Sequence, residues 1–143
     1  MSRQLKFRQI AGQFAVCRLP ANVSVPAWAT AGNFISVTRT ADELSIVCPL
    51  QNVPAEHKPE VPWTCFKLEG PFDFLQIGIL ASFIDPLAEN GVPIFAISTY
   101  DTDYVLVRED FARSALGALQ EAGHELTSEA ESPGKQSQQS ADD

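Results

Sequence analysis

The chain has 143 residues, 45% of them hydrophobic and 20% charged, with a formal net charge of −8. That describes one globular domain of ordinary size, or two very small ones sharing a core. The acidic balance and the lack of a basic stripe exclude nucleic acid as an expected partner. No run of apolar residues is long enough to span a membrane or to form the core of a signal peptide.

In chain order, "FAVCRL" (14–19) reads as a strand. "NFISVTRT" (33–40) and "DELSIVCP" (42–49) read as a strand pair with almost no loop between them. The stretches around them are poor in helix. Residues 20–32 contain two prolines and room for about one helical turn, and residues 51–62 contain Pro54, Pro59 and Pro62, which predicts a linker or irregular crossover.

The second half is more regular. "WTCFKLEG" (63–70) alternates and predicts a strand. Within residues 71–91, Leu80, Phe83, Ile84 and Leu87 form one apolar helical face, Gly91 is the expected C′ residue, and Pro86 should kink the helix. "VPIFAIST" (92–99) and "DYVLVRE" (103–109) are predicted strands. Residues 110–123 are a second helix, with Asp110 as expected N-cap, Gly123 as C′, and Phe111, Ala115, Leu116 and Leu119 on the apolar face. "HELTS" starts one more strand. The order β-α-β-β-α-β is the split βαβ of ferredoxin-like α+β folds. Sliding the first strand pair by 61 residues puts Thr38 on Thr99 and Asp42 on Asp103, which suggests two copies of one unit. The expected organisation is therefore a degenerate unit over 1–61, a full unit over 62–127, a common antiparallel sheet and core, and a disordered acidic tail over 128–143. From residue 125 onward, five carboxylates stand against Lys135, which supplies −4 of the net charge.

Cys17, Cys48 and Cys65 are odd in number and lack C-x-x-C spacing, so they read as reduced core thiols of a cytoplasmic protein. With His57 and His124 isolated in sequence, no zinc site is expected. The chemistry concentrates in "FAISTYDTDYVLV" (95–107), where Asp101 and Asp103 sit between two strands. Three readings compete: a metal site, an ordinary hairpin turn, or a clamp for a small charged ligand. A metal-dependent transferase would need a phosphate-cradling loop and further carboxylates that the sequence lacks. Asp and Thr are ordinary turn formers, which favours the second reading. Gly78, just before the predicted helix, favours the third: free amides at a helix N-terminus suit a carboxylate, and an aspartate across the site suits an amine or guanidinium.

"GILASFIDPLAENGVPIFAIST" (78–99) resembles the core of ACT domains. The span from Phe14 to Leu126 resembles small bacterial tandem ACT proteins, on the segments "VPAWA" (25–29), "FISVTRTADELSIVCP" (34–49), "GPFDF" (70–74) and "FAISTYDTDYVLVRE" (95–109). Through them it is similar to the ACT domains of the eukaryotic cytosolic arginine sensors, the CASTOR family. The resemblance implies two ferredoxin-like ACT units, a regulatory role, homodimerisation, and an amino acid, arginine or lysine among the options, held at an inter-unit or dimer interface. It carries over Gln76, Gly78 and Ile79 from the loop before the helix, and Ser98, Thr99, Tyr100 and Asp103 from the strand end, with Asp103 facing a ligand guanidinium. Those sensors have four ACT modules in one chain, whereas this sequence has two. A ligand-free interaction module with a vestigial site is the alternative. An enzyme is not expected, because no nucleophile–base pair is evident, and no cofactor is implied.

Overall fold

The computed structural model describes residues 4–70 and 77–127. The expectation of a disordered tail over 128–143, and Gln76 among the ligand residues, therefore lie outside the described residues. The described chain is a mixed α+β structure of eight strands and two α-helices. It divides into two compact units, residues up to Gln9 together with those from Thr64 onward, and Ile10–Trp63.

The first of these units holds both helices. Its strands are β1 (Lys6–Gln9), the part of β5 (Trp63–Leu68) from Thr64, β6 (Phe95–Ser98), β7 (Asp103–Arg108) and β8 (Glu125–Leu126), with α1 (Ile79–Glu89) and α2 (Ala112–Glu121). β6 pairs with β7, β7 with β5, β5 antiparallel with β1, and β1 parallel with β8. From β5 onward this is the βαββαβ order of a ferredoxin-like fold. The addition is β1, which the sequence reading left unassigned. Phe7 carries it: the side chain is fully buried and meets Phe66 and Phe83 edge-on, at 5.6 and 5.2 Å between ring centroids. Residues 4–9 accordingly cluster with the unit that runs on from Thr64. Phe7, Phe66, Leu68, Phe83, Leu87, Val105, Val107 and Leu119 lie in this unit's core.

Both helices end in a Schellman motif. In α1 the Val92 amide bonds the Leu87 carbonyl and the Gly91 amide that of Ala88; in α2 the His124 amide bonds Leu119 and Gly123 bonds Gln120. Gly91 and Gly123 hold the left-handed conformation this requires, at φ 72° and 95°. The start of α2 differs from expectation. Glu109–Phe111 form a 3₁₀ turn, the helix begins at Ala112, and the Asp110 carboxylate is held by Arg108 at 2.9 Å instead of capping.

Pro86 lies within α1 and is buried. A proline has no N–H for the carbonyl four residues back, here Ser82. His124 Nε2 meets that carbonyl at 2.9 Å, while His124 Nδ1 accepts the Leu5 amide at 3.0 Å. An accepting Nδ1 leaves Nε2 as the donor, so the imidazole is the neutral Nε2–H tautomer. The residue that looked isolated in sequence donates to the carbonyl that the proline cannot bond, and accepts an amide from the segment that leads into β1.

The second unit has no α-helix among its described residues. β2 (Phe14–Leu19) pairs antiparallel with β4 (Leu44–Pro49), which pairs antiparallel with β3 (Ser36–Arg39). Single 3₁₀ turns at Ala27–Ala29, Leu50–Asn52 and Ala55–His57 stand where helices would. The core gathers Ala15, Cys17, Leu44, Ile46, Cys48 and Val53, with Trp28 packed on it and stacked on His57.

Candidate functional site

The β6–β7 hairpin is closed by the pair Ser98↔Asp103. In its turn the Thr99 amide bonds the Thr102 carbonyl at 2.8 Å, and the Thr99 hydroxyl donates to the same oxygen at 3.0 Å. Ser98 Oγ donates to Asp103 Oδ1 at 2.5 Å. Asp101 is exposed, and Tyr100 is 78% exposed at the tip. Thr102 was not singled out in the sequence, yet it is buried, and its hydroxyl donates to the Leu68 carbonyl at 2.8 Å. That bond ties the hairpin turn to the C-terminal end of β5. Its only signal in the sequence was the position between the two aspartates.

Gly78 is the N-cap of α1, at φ 83° and ψ 0°. No heavy atom lies within 4 Å of where its Cβ would stand. The Ser82 amide bonds the Gly78 carbonyl at 2.9 Å, which starts the helical ladder. Ahead of it the first-turn amides have no intrahelical partner. Among the described residues no side chain caps this end, and no acidic residue stands in its first turn. The Ile79 side chain is in the core, so only its backbone is open to a ligand role. Ile77, just before, is 84% exposed.

The structure thus gathers Ser98, Thr99, Tyr100 and Asp103 in one hairpin. Through Thr102 and Leu68 it sets that hairpin beside the end of β5, from which the chain runs on to Gly78. The echo in the N-terminal half has a different register. There the Thr40 amide bonds the Glu43 carbonyl at 2.9 Å and Arg39↔Leu44 closes the hairpin. Thr40 therefore matches Thr99, a slide of 59 residues, and the counterpart of Asp103 is Leu44, not Asp42. The N-terminal hairpin has no acid at that position.

The metal reading gains nothing from the geometry. Among the described residues no three His, Cys, Asp or Glu side chains come together as ligands. Burial pushes the Tyr104 phenol above its ordinary value; Cys65 and Asp101 add to this and Arg8 opposes it. All three thiols are buried and free, and burial raises each of them, Cys48 to about 11. Among the described residues no helix is long and apolar enough to cross a membrane.

The C-terminal unit has the ferredoxin-like order, and residues 60–121 match the ACT-domain family. Residues 12–56 match a second family described as an N-terminal domain. The chain belongs to the same family as Atu0741 of Agrobacterium tumefaciens: the two are 42% identical, with 92% of this chain and 98% of that one covered, at a TM-score of 0.84. A protein of unknown function from Vibrio cholerae, VC0802, shares the fold at a TM-score of 0.66 and 22% identity, over 84% of this chain and 91% of that one.

Proposed function

We propose that this protein is a non-catalytic regulatory module that binds a free amino acid at the edge where the β6–β7 hairpin and the N-terminus of α1 meet. The ligand's α-carboxylate accepts from the Gly78 and Ile79 amides. Its cationic group pairs with Asp103, with Gln76, Ser98, Thr99 and Tyr100 around it. Arginine or lysine suits that carboxylate best, in keeping with the likeness to the arginine sensors. The protein acts as a homodimer in the cytoplasm, and the ligand biases its quaternary state by binding one form more tightly than another.

The features that support this reading are the tie of the hairpin turn to the end of β5 through the Thr102–Leu68 bond, Asp103 on the strand end, and the start of α1 at Gly78 with no side-chain cap among the described residues. One observation favours the alternative of a vestigial site: Asp103 already accepts a hydrogen bond from Ser98. A ligand cation must displace or share it.

The test is a thermal-shift panel of the twenty amino acids on the wild-type protein, Asp103→Ala and Gly78→Asp. A ligand that binds only the folded state raises the melting temperature. We expect one amino acid to do so, and both variants to abolish the shift. Flat curves at millimolar ligand, with a folded protein, would leave the ligand-free interaction module.

A further inference from the structure

We infer that Ser98 sets the selectivity of the amino-acid site, favouring an ammonium, as in lysine, over the guanidinium of arginine; this rests on the reading proposed above. Ser98 on β6 and Asp103 on β7 stand directly opposite each other in the last pair of the hairpin. The next pair on the same face is Ala96 with Val105, and Val105 lies in the helix-covered core with Ile79 and Phe83 of α1. Alternation therefore puts Ser98 and Asp103 on the side of the sheet that the helices cover. The N-terminal hairpin, with the same turn bond, closes on Arg39 and Leu44 at the matching pair. A turn of this kind thus needs neither the serine nor the aspartate, and their pairing calls for another reason.

The hydrogen bonding supplies one. Ser98 Oγ donates to Asp103 Oδ1. That bond engages one carboxylate oxygen and leaves the other, Oδ2, outside it. Ser98 is exposed and Asp103 half-buried, so a small ligand can reach the pair. A guanidinium binds a carboxylate best as a fork, with two parallel N–H donors on the two oxygens. At Asp103 one arm of the fork meets an oxygen already serving Ser98, so arginine must displace or crowd the hydroxyl. An ammonium is a compact point charge and needs only one oxygen. Lysine can take Oδ2 and leave the serine bond in place. The hydroxyl then holds the carboxylate in one orientation while the ammonium binds, acting as a positioning group rather than as a competitor.

The test is isothermal titration calorimetry of the wild-type protein, Ser98→Ala and Ser98→Thr with lysine and with arginine. The wild-type protein should bind lysine at least about tenfold more tightly than arginine. Ser98→Ala frees Oδ1 and should bring the two affinities together or reverse them. Ser98→Thr keeps the hydroxyl and should keep the preference for lysine. A serine with a structural role only would weaken both ligands alike and leave their ratio unmoved. Arginine bound as tightly as lysine by the wild-type protein, or a ratio that Ser98→Ala leaves unchanged, would overturn the inference while an amino-acid site still stands. Binding of neither ligand at millimolar concentration would overturn it as well, and the thermal-shift panel then decides separately whether the amino-acid reading falls with it. The wild-type ratio remains a test if Ser98→Ala does not fold.

Discussion

Pro86 and His124 should behave as one unit. His124→Ala removes the acceptor of the Leu5 amide and the donor to the Ser82 carbonyl. Leu5 is buried, and a buried polar group that loses its partner costs about 1–3 kcal/mol. With two groups affected, the variant should lose about 2–5 kcal/mol, a large share of a typical total of about 5–15 kcal/mol. The diagnostic part is the cycle with Pro86→Ala. An alanine at 86 supplies the amide that a helix normally gives to residue 82, so in the His124→Ala background it re-pairs one of the two groups. The double variant should recover about 1 kcal/mol beyond the sum of the single changes. Urea denaturation of the four proteins, compared at unchanged m-value, measures this. Additivity within about 0.5 kcal/mol would refute the reasoning, because it would show that His124 does not act through the carbonyl that Pro86 cannot bond.

Other perturbations follow from the same contacts. Thr102→Val should destabilise the protein by about 1–2 kcal/mol by removing the bond to the Leu68 carbonyl, and Thr102→Ser should restore most of it in the same denaturation assay. Gly78→Ala should cost about 1–2 kcal/mol from its left-handed backbone alone, since its Cβ would meet nothing within 4 Å; a much larger loss would show an unseen close contact. The native thiols, raised by burial, should resist iodoacetamide at pH 8 and react once urea is added. Stability should fall as pH rises above about 9, because the unfolded chain then releases thiol protons that the folded one retains. A native-state pH titration flat between 8 and 10.5 would contradict this.

What could be read in the sequence was what local physics writes there. The apolar spacing of Leu80, Phe83 and Leu87, and the glycines at 91 and 123, give the two helices and their ends. The prolines of residues 51–62 predict the missing helix of the N-terminal unit, and short turns stand in its place. The strand–turn–strand over 95–107 follows from alternation and turn residues, and so does the concentration of polar groups at its tip.

Other features depend on residues far apart in the chain. The strand at Lys6–Gln9 has only four residues, and its assignment rests on Phe7 meeting Phe66 and Phe83. His124 gains its role from a carbonyl 42 residues away and an amide 119 residues away. Asp110, a reasonable N-cap by its place in the sequence, was taken instead by Arg108 across a 3₁₀ turn. The register of the N-terminal hairpin shifted by two residues because the turn hydrogen bonds, rather than residue identity, set which positions correspond. Thr102 became an anchor only because β5 ends beside it. By itself the sequence determined the elements and the residue types near the site, since propensity, periodicity and turn chemistry act over a few residues. The tertiary structure alone decided which polar groups are paired, because desolvation and hydrogen bonding are settled by neighbours that chain order does not name.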